Sequence, residues 1–206
     1  VNLSLLSVFI PTFFFVSITP GMCMTLAMTM GMTIGVKRAL WMMFGELCGV
    51  GLVAISSAIG VAALLLNYPS AFVVFKYVGG AYLAYIGIQM WRSKGKMAIK
   101  SSDSESTPAS RFELASQGFM TAIANPKGWA FFVALLPPFL TTEQSLFSQL
   151  SVLVAIILSL EFLCLLIYAT GGRTLRTLLQ QSGNVRLMNR IAGSLMLGVG
   201  IWLAIG

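Results

Sequence analysis

The chain has 206 residues, of which 57% are apolar and 9% charged, with 13 Lys and Arg against 6 Asp and Glu. Soluble domains carry about 25% charged residues, so this composition, with its mean hydropathy of +0.89, excludes a soluble domain and predicts an all-α integral membrane protein. The net charge of +7 is not a nucleic-acid signal, because its distribution along the chain follows the pattern of membrane topology.

Hydropathy predicts six apolar spans. The first tract starts near Leu3 and ends only at Lys37-Arg38, with Thr19-Pro20-Gly21 inside it. No basic region precedes it and no cleavage pattern follows, so no removable signal peptide is expected. The second span runs from about Leu40 to Leu66, before the turn Asn67-Tyr68-Pro69-Ser70, and the third from about Ala71 to Trp91. Arg92 to Glu113 has the Ser-rich, Pro-containing composition of a solvated loop, attracted to anionic lipid. The fourth segment is Thr121 to Leu140, the fifth covers about Leu146 to Thr170, and the sixth about Leu187 to Ile205. The whole chain, 1–206, reads as one membrane domain: a first repeat over about 1–91, a cytoplasmic linker over about 92–115 and a second repeat over about 116–206.

The basic residues sort by loop. Lys37 and Arg38 follow the first span; Arg92, Lys94, Lys96, Lys100 and Arg111 follow the third; Arg173, Arg176, Arg186 and Arg190 follow the fifth. The positive-inside rule places these alternate loops in the cytoplasm and both termini outside. Lys76 and Lys127 remain within spans. Lys76, near the outer end of the third, is expected to snorkel to the interface.

Asn125-Pro126-Lys127 lies well inside the fourth segment. Pro126 has no N–H to donate and crowds the carbonyl four residues back, which disturbs a continuous helix. Asn is a favoured N-cap and Pro a favoured first helical residue, so the same triplet starts a new helix. The alternative, a cap at the cytoplasmic surface, leaves only about fifteen residues to span the bilayer, where about twenty are needed. Thr19-Pro20-Gly21 interrupts the first tract in the same way, about half a chain earlier. Three spans per half require the second half to be inserted upside down. The expected fold is therefore six transmembrane helices as two inverted three-helix repeats, with helices 1 and 4 broken at Pro20 and Pro126.

Half-helices that start at such breaks aim unpaired N–H groups and positive dipole ends at the midplane, where they suit an anion. Lys127 adds a full charge there. Thr19, Pro20, Gly21, Asn125, Pro126 and Lys127 are thus the candidate substrate-binding residues. Glu46 and Glu161 are the acidic residues deep within spans, in segments that correspond under the repeat, and are candidates for proton or cation coupling. They do not superpose under the repeat, and Glu46 follows Arg38 closely, which sets it toward the cytoplasmic mouth. For Glu161, function and simple pairing with Lys127 both stand. An anion site beside a cation site is what a zwitterion such as an amino acid requires.

Other features carry less. Cys23, Cys48 and Cys164 lie in apolar segments without paired spacing and read as small buried hydrophobes, neither disulfide nor metal site. There is no His, which removes the commonest general base and metal ligand. No catalytic role and no cofactor are assigned, and an enzyme is not expected. Gly31-x3-Gly35, Gly45-x3-Gly49 and Gly80-x3-Ala84 allow close helix contacts, within the chain or across a dimer. Tyr77, Tyr82 and Tyr85 share a helix with Gly79, Gly80 and Gly87, and suit packing better than cavity lining.

Thr19-Pro20-Gly21, Gly31-x3-Gly35, Lys76-Tyr-Val-Gly-Gly-Ala-Tyr-Leu-Ala-Tyr-Ile-Gly87 and Asn125-Pro126-Lys127 together resemble the LysE/RhtB family of amino-acid exporters, in family order and spacing over nearly the whole chain. One departure is that Met22 follows Gly21 where the family usually has a second proline. The resemblance implies a six-span bacterial inner-membrane protein, a homodimer, that expels amino acids or related metabolites using the proton gradient. It also implies that Pro20, Gly21, Asn125, Pro126 and Lys127 lie near the transport path. The expected function is a secondary transporter that exports a small amino acid or analogue by proton antiport. Its expected partners are that substrate, protons and membrane lipids, without nucleic acid. A metal-cation exporter or channel of the same fold, using Glu46 and Glu161, is the alternative.

Overall fold

The computed structural model describes residues 3–93, 109–136 and 145–205, and the regular elements among them are all α-helices. In chain order these are α1 (Leu3–Ile18), α2 (Met22–Thr33), α3 (Val36–Asn67), α4 (Pro69–Arg92), α5 (Arg111–Ile123), α6 (Pro126–Leu135), α7 (Leu146–Gln180) and α8 (Ser182–Ile205). Residues 94–108, which carry most of the expected linker, and residues 137–144 lie outside the described residues, as does the side chain of Lys76.

Among the described residues, Val36–Leu64 of α3 and Leu146–Gly172 of α7 are each long and apolar enough to cross a membrane. Leu6–Ile18 and Met22–Thr33 together make a third such run, bent by 57°. The 29 residues of the α3 segment rise about 43 Å at 1.5 Å per residue, more than the ~30 Å of a bilayer's hydrocarbon core. The described residues are thus all-helical, with apolar helices long enough to span a membrane.

The basic stretch after Thr170, expected as a loop, is largely helical. Gly172 takes φ 43° and ψ −122°, a left-handed turn that favours glycine, and α7 continues beyond it to Gln180. Leu179 and Val185 then bury in the core while Arg176 and Arg186 stay exposed, so a short amphipathic segment forms where charge counting suggested open chain. At the other polar junction, Ser110 and Glu113 make a capping box at the start of α5. There the Ser110 backbone N–H, and then its hydroxyl, hold the Glu113 carboxyl below its usual range.

Close packing follows the glycines. A Cβ on Gly45 would overlap the Ala115 carbonyl, and one on Gly118 would overlap the Met42 carbonyl, so α3 and α5 touch backbone to backbone. α4 and α8 meet through Gly87 with Gly193 and through Gly80 with Gly200; α2 meets α7 where Gly31 lies on Ala169. Gly118→Ala is therefore expected to destabilise the fold by about 3 kcal/mol, the upper end for overpacking, because backbone cannot swing aside as a side chain can. Thermal unfolding in detergent checks this, with Gly128→Ala, where a Cβ meets open space, as the neutral comparison.

Two apolar clusters fill the interior. One holds Phe9, Phe13, Val53, Phe131, Ile157 and Met196; the other holds Met24, Met28, Met42, Leu165 and Tyr168. On α3, Glu46 comes between Met43 of the second cluster and Val50 of the first; on α7, Glu161 comes between Ile157 and Cys164. Both carboxylates therefore sit at the seam between the two clusters.

Candidate functional site

The site begins where α1 stops. The last four carbonyls of a helix have no partner within it and must find donors elsewhere. In the membrane interior that demand is stricter, because there is no bulk water. Three side chains supply three of those donors, one just after α1 and one each from α6 and α7. Thr19 Oγ1 donates to the Phe15 carbonyl at 2.6 Å, Lys127 Nζ to the Val16 carbonyl at 2.6 Å and Tyr168 Oη to the Ile18 carbonyl at 2.7 Å. The end of α1 is thus closed by α6 and α7.

The second break is built from its own sequence. Asn125 is the N-cap of α6 with extended backbone, its Oδ1 accepts the Lys127 backbone N–H at 3.2 Å, and Pro126 follows in the first turn. Trp129 Nε1 donates to the Ile123 carbonyl at 2.9 Å, which satisfies the end of α5. Asn125 Nδ2 also points at Cys23 Sγ, 3.8 Å away in the first turn of α2. The two breaks are thus in direct contact. At the first, Gly21 caps α2 without a side-chain hydrogen bond, and Met22 is the first helical residue. The N–H of this first helical position has no intrahelical partner to lose.

One cavity, of about 80 Å³, opens between the breaks and the carboxylates; Ser17, Gly21, Cys23, Asn125, Glu46 and Glu161 supply its polar wall. Glu161 is 8% exposed and accepts a hydrogen bond from Ser17 Oγ. Glu46 is fully buried, and among the described residues neither of its oxygens has a hydrogen-bond partner; its titratable neighbours are Glu161 and the Cys23 thiol. A buried carboxyl without a partner is costly, and such groups in native structures mark a task. Lys127 and Glu161 reach adjacent residues of α1, Val16 and Ser17, from two different helices.

On the side leading along α1 toward Leu3, the cavity ends at an aromatic cluster. Phe13 stacks on Phe9 at 5.9 Å between ring centroids, and meets Phe131 at 5.6 Å and Phe132 at 5.9 Å. A second cavity, of about 350 Å³, lies beyond the breaks against α4 and α8, and Pro20 and Pro126 face it. Thr19 and Lys127 line both cavities.

All eight candidate residues read from the sequence therefore border one or the other cavity. Gly21, Asn125, Glu46 and Glu161 border the first, Pro20 and Pro126 the second, and Thr19 and Lys127 both. Glu46 lies beside Glu161 despite its offset under the repeat, because helices that cross bring together residues unrelated by register. Ser17, Cys23 and Tyr168 were not singled out as site residues. Ser17 was findable in principle as a polar residue two positions before the break, whereas nothing local marks Tyr168 as the donor to Ile18. Among the described residues, no group of three or more Cys, Asp or Glu gathers to hold a metal ion.

A model of the family described as LysE type translocator matches residues 14–206. The homoserine/homoserine lactone efflux protein of Salmonella typhimurium is 27% identical over 188 residues, covering 91% of this chain and 90% of its own. An uncharacterised membrane protein of Vibrio cholerae is 26% identical over 188 residues, with the same coverage of both chains. The leucine efflux protein of Klebsiella pneumoniae is 23% identical over 192 residues, covering 92% of this chain and 90% of its own. No solved structure matches the chain.

Proposed function

The chain belongs to the LysE type translocator family, and from that premise we propose that it exports a small amino acid or analogue from the cytoplasm in exchange for protons. The observation that carries this reading is the convergence of two broken helices, one lysine and two buried carboxyls on one small cavity. The half-helix start at Gly21, with Lys127 beside it, suits the substrate carboxylate. Glu46 and Glu161 suit its ammonium group. A carboxyl pair in an apolar surround holds more than one negative charge only at high cost. A proton and an ammonium group therefore compete for the same pair, and that competition is the chemical basis of antiport. The efflux relatives from Salmonella and Klebsiella support the direction of transport. The metal-cation alternative rests on the same two carboxyls and gains no further ligand among the described residues.

The architecture proposed with this function is six spans in two inverted halves, α1 with α2 and α5 with α6 each forming one broken span. The helix pairings support it. α7 packs on α1 and α2, α3 packs on α5 and α6, and α4 packs on α8. Exchanging the first span for the fourth, the second for the fifth and the third for the sixth leaves that set of pairings unchanged. By the charge rule the basic ends of α4, α7 and α8 face the cytoplasm of the bacterial inner membrane, with both termini outside. The Phe13 cluster then closes the external side of the site. A homodimer is the proposed assembly, as the resemblance implies.

Uptake of labelled amino acids into inside-out vesicles tests the function. An imposed proton gradient is expected to drive accumulation of one class, such as L-homoserine or L-leucine. Equal uptake with and without the gradient removes proton antiport, and no uptake of any amino acid removes the export reading.

A further inference from the structure

Resting on the export reading, we propose that the larger cavity on the far face of the breaks is an entrance site that binds the substrate before the carboxyls do, and that it selects amino acids with uncharged side chains. Its volume of about 350 Å³ falls in the range of small-molecule sites, about 300–1,000 Å³. Lys127 is the one charged residue of its wall among the described residues. The rest of the polar wall consists of amides and hydroxyls, chiefly Gln89, Asn189, Tyr82 and Tyr85, with Ile86 and Met90 between them. An amino acid's carboxylate finds a cation here. A basic side chain finds no carboxylate, because Glu46 and Glu161 border the other cavity.

The wall is ordered for recognition. Asn189 is 9% exposed and its Nδ2 donates to Ser93 Oγ at 3.0 Å, which fixes the amide across the α4–α8 contact. Tyr82 and Tyr85 stack at 6.2 Å between ring centroids, line the cavity and are each about half exposed. This cavity follows α4 from Tyr82 to Ser93, toward the end marked by Arg92 and Arg190, the end proposed to face the cytoplasm.

The two cavities meet at Thr19 and Lys127. Lys127 Nζ is tied to the Val16 carbonyl, so α6 is latched to the end of α1. A substrate carboxylate arriving from the α4 side competes with that carbonyl for the ammonium group. Its capture frees α1 from α6 and lets the substrate pass from the amide-lined chamber to the carboxyl-lined one.

The test places a cysteine at Gln89, an exposed position, in a chain whose Cys23, Cys48 and Cys164 are replaced by alanine. In inside-out vesicles a membrane-impermeant maleimide is expected to label Gln89→Cys. A transported neutral amino acid at four times its Kd is expected to slow labelling about fivefold, and L-lysine is expected to leave it unchanged. In the unaltered background, Asn189→Leu is expected to raise the KM for uptake about tenfold, the worth of one well-placed hydrogen bond, with the maximal rate kept. Gradient-driven uptake together with an unprotected Gln89→Cys and an unchanged KM in Asn189→Leu overturns the entrance site and leaves export standing. Equal protection by L-lysine overturns the selectivity. Failure of the unaltered protein to transport any amino acid removes the export reading and the entrance site with it.

Discussion

Glu161→Gln is expected to reduce proton-driven uptake into inside-out vesicles to the level of empty vesicles, while exchange of labelled for unlabelled substrate across the same membrane continues. Glutamine keeps the shape of the side chain and still accepts the Ser17 hydroxyl hydrogen bond that positions Glu161. It loses the negative charge and with it the capacity to bind and release a proton, while Glu46 remains in the same cavity to hold the substrate ammonium group. Exchange needs the substrate to load and unload on both sides but needs no net proton movement, so the two assays separate coupling from binding. Glu46→Gln is expected to be milder for folding and as severe for coupling. Glu46 has no hydrogen-bond partner among the described residues to lose, and replacing it leaves Glu161 without the neighbour whose charge makes proton and ammonium alternatives. If either variant accumulates substrate against a gradient at the unaltered rate, that carboxyl is not part of the coupling device.

The start of α6 was the most legible part of this chain. Asn125 and Pro126 are a cap and a first-turn residue by local chemistry alone, and α6 starts on them as that chemistry requires. The apolar lengths of α3 and α7 were equally readable, because a membrane demands long apolar runs and leaves few other arrangements. What the sequence hid was lateral. Which helix would face Glu46 depends on the close approach of α3 to α5, set by Gly45, Gly49 and Gly118, and on the packing of α3 against α7; the glycines of α3 were visible as a small-residue motif, but their partners were not. Tyr168 reaches Ile18 across 150 positions of sequence, and no periodicity reports such a contact. Tyr82 and Tyr85 were read as packing residues, yet both line the larger cavity, since three tyrosines on one helix look the same against lipid, protein or an opening. The basic run after Thr170 hid a turn of helix because its few apolar residues, Leu175, Leu179 and Val185, matter only once a core exists to receive them.

Lys127→Ala is expected to abolish export and exchange together, which distinguishes it from the carboxyl variants. Lys127 lines both cavities and is the cation among the described lining residues of each. Truncating one partner of a desolvated charge pair costs about 2–5 kcal/mol, a loss of affinity of roughly 30-fold or more. The substitution also leaves the Val16 carbonyl without its donor, a structural cost of about 1–3 kcal/mol, so lost transport alone would not identify a binding role. Tyr168→Phe supplies the comparison. It removes the donor to the neighbouring Ile18 carbonyl, a loss of the same kind at the same helix end, without removing a charge. Both variants are expected to melt at lower temperature in detergent than the unaltered protein. Tyr168→Phe is expected to keep exchange within a few-fold of normal, whereas Lys127→Ala loses it. If Tyr168→Phe loses exchange as completely, the end of α1 is what transport requires, and Lys127 is a structural latch with no part in holding the substrate.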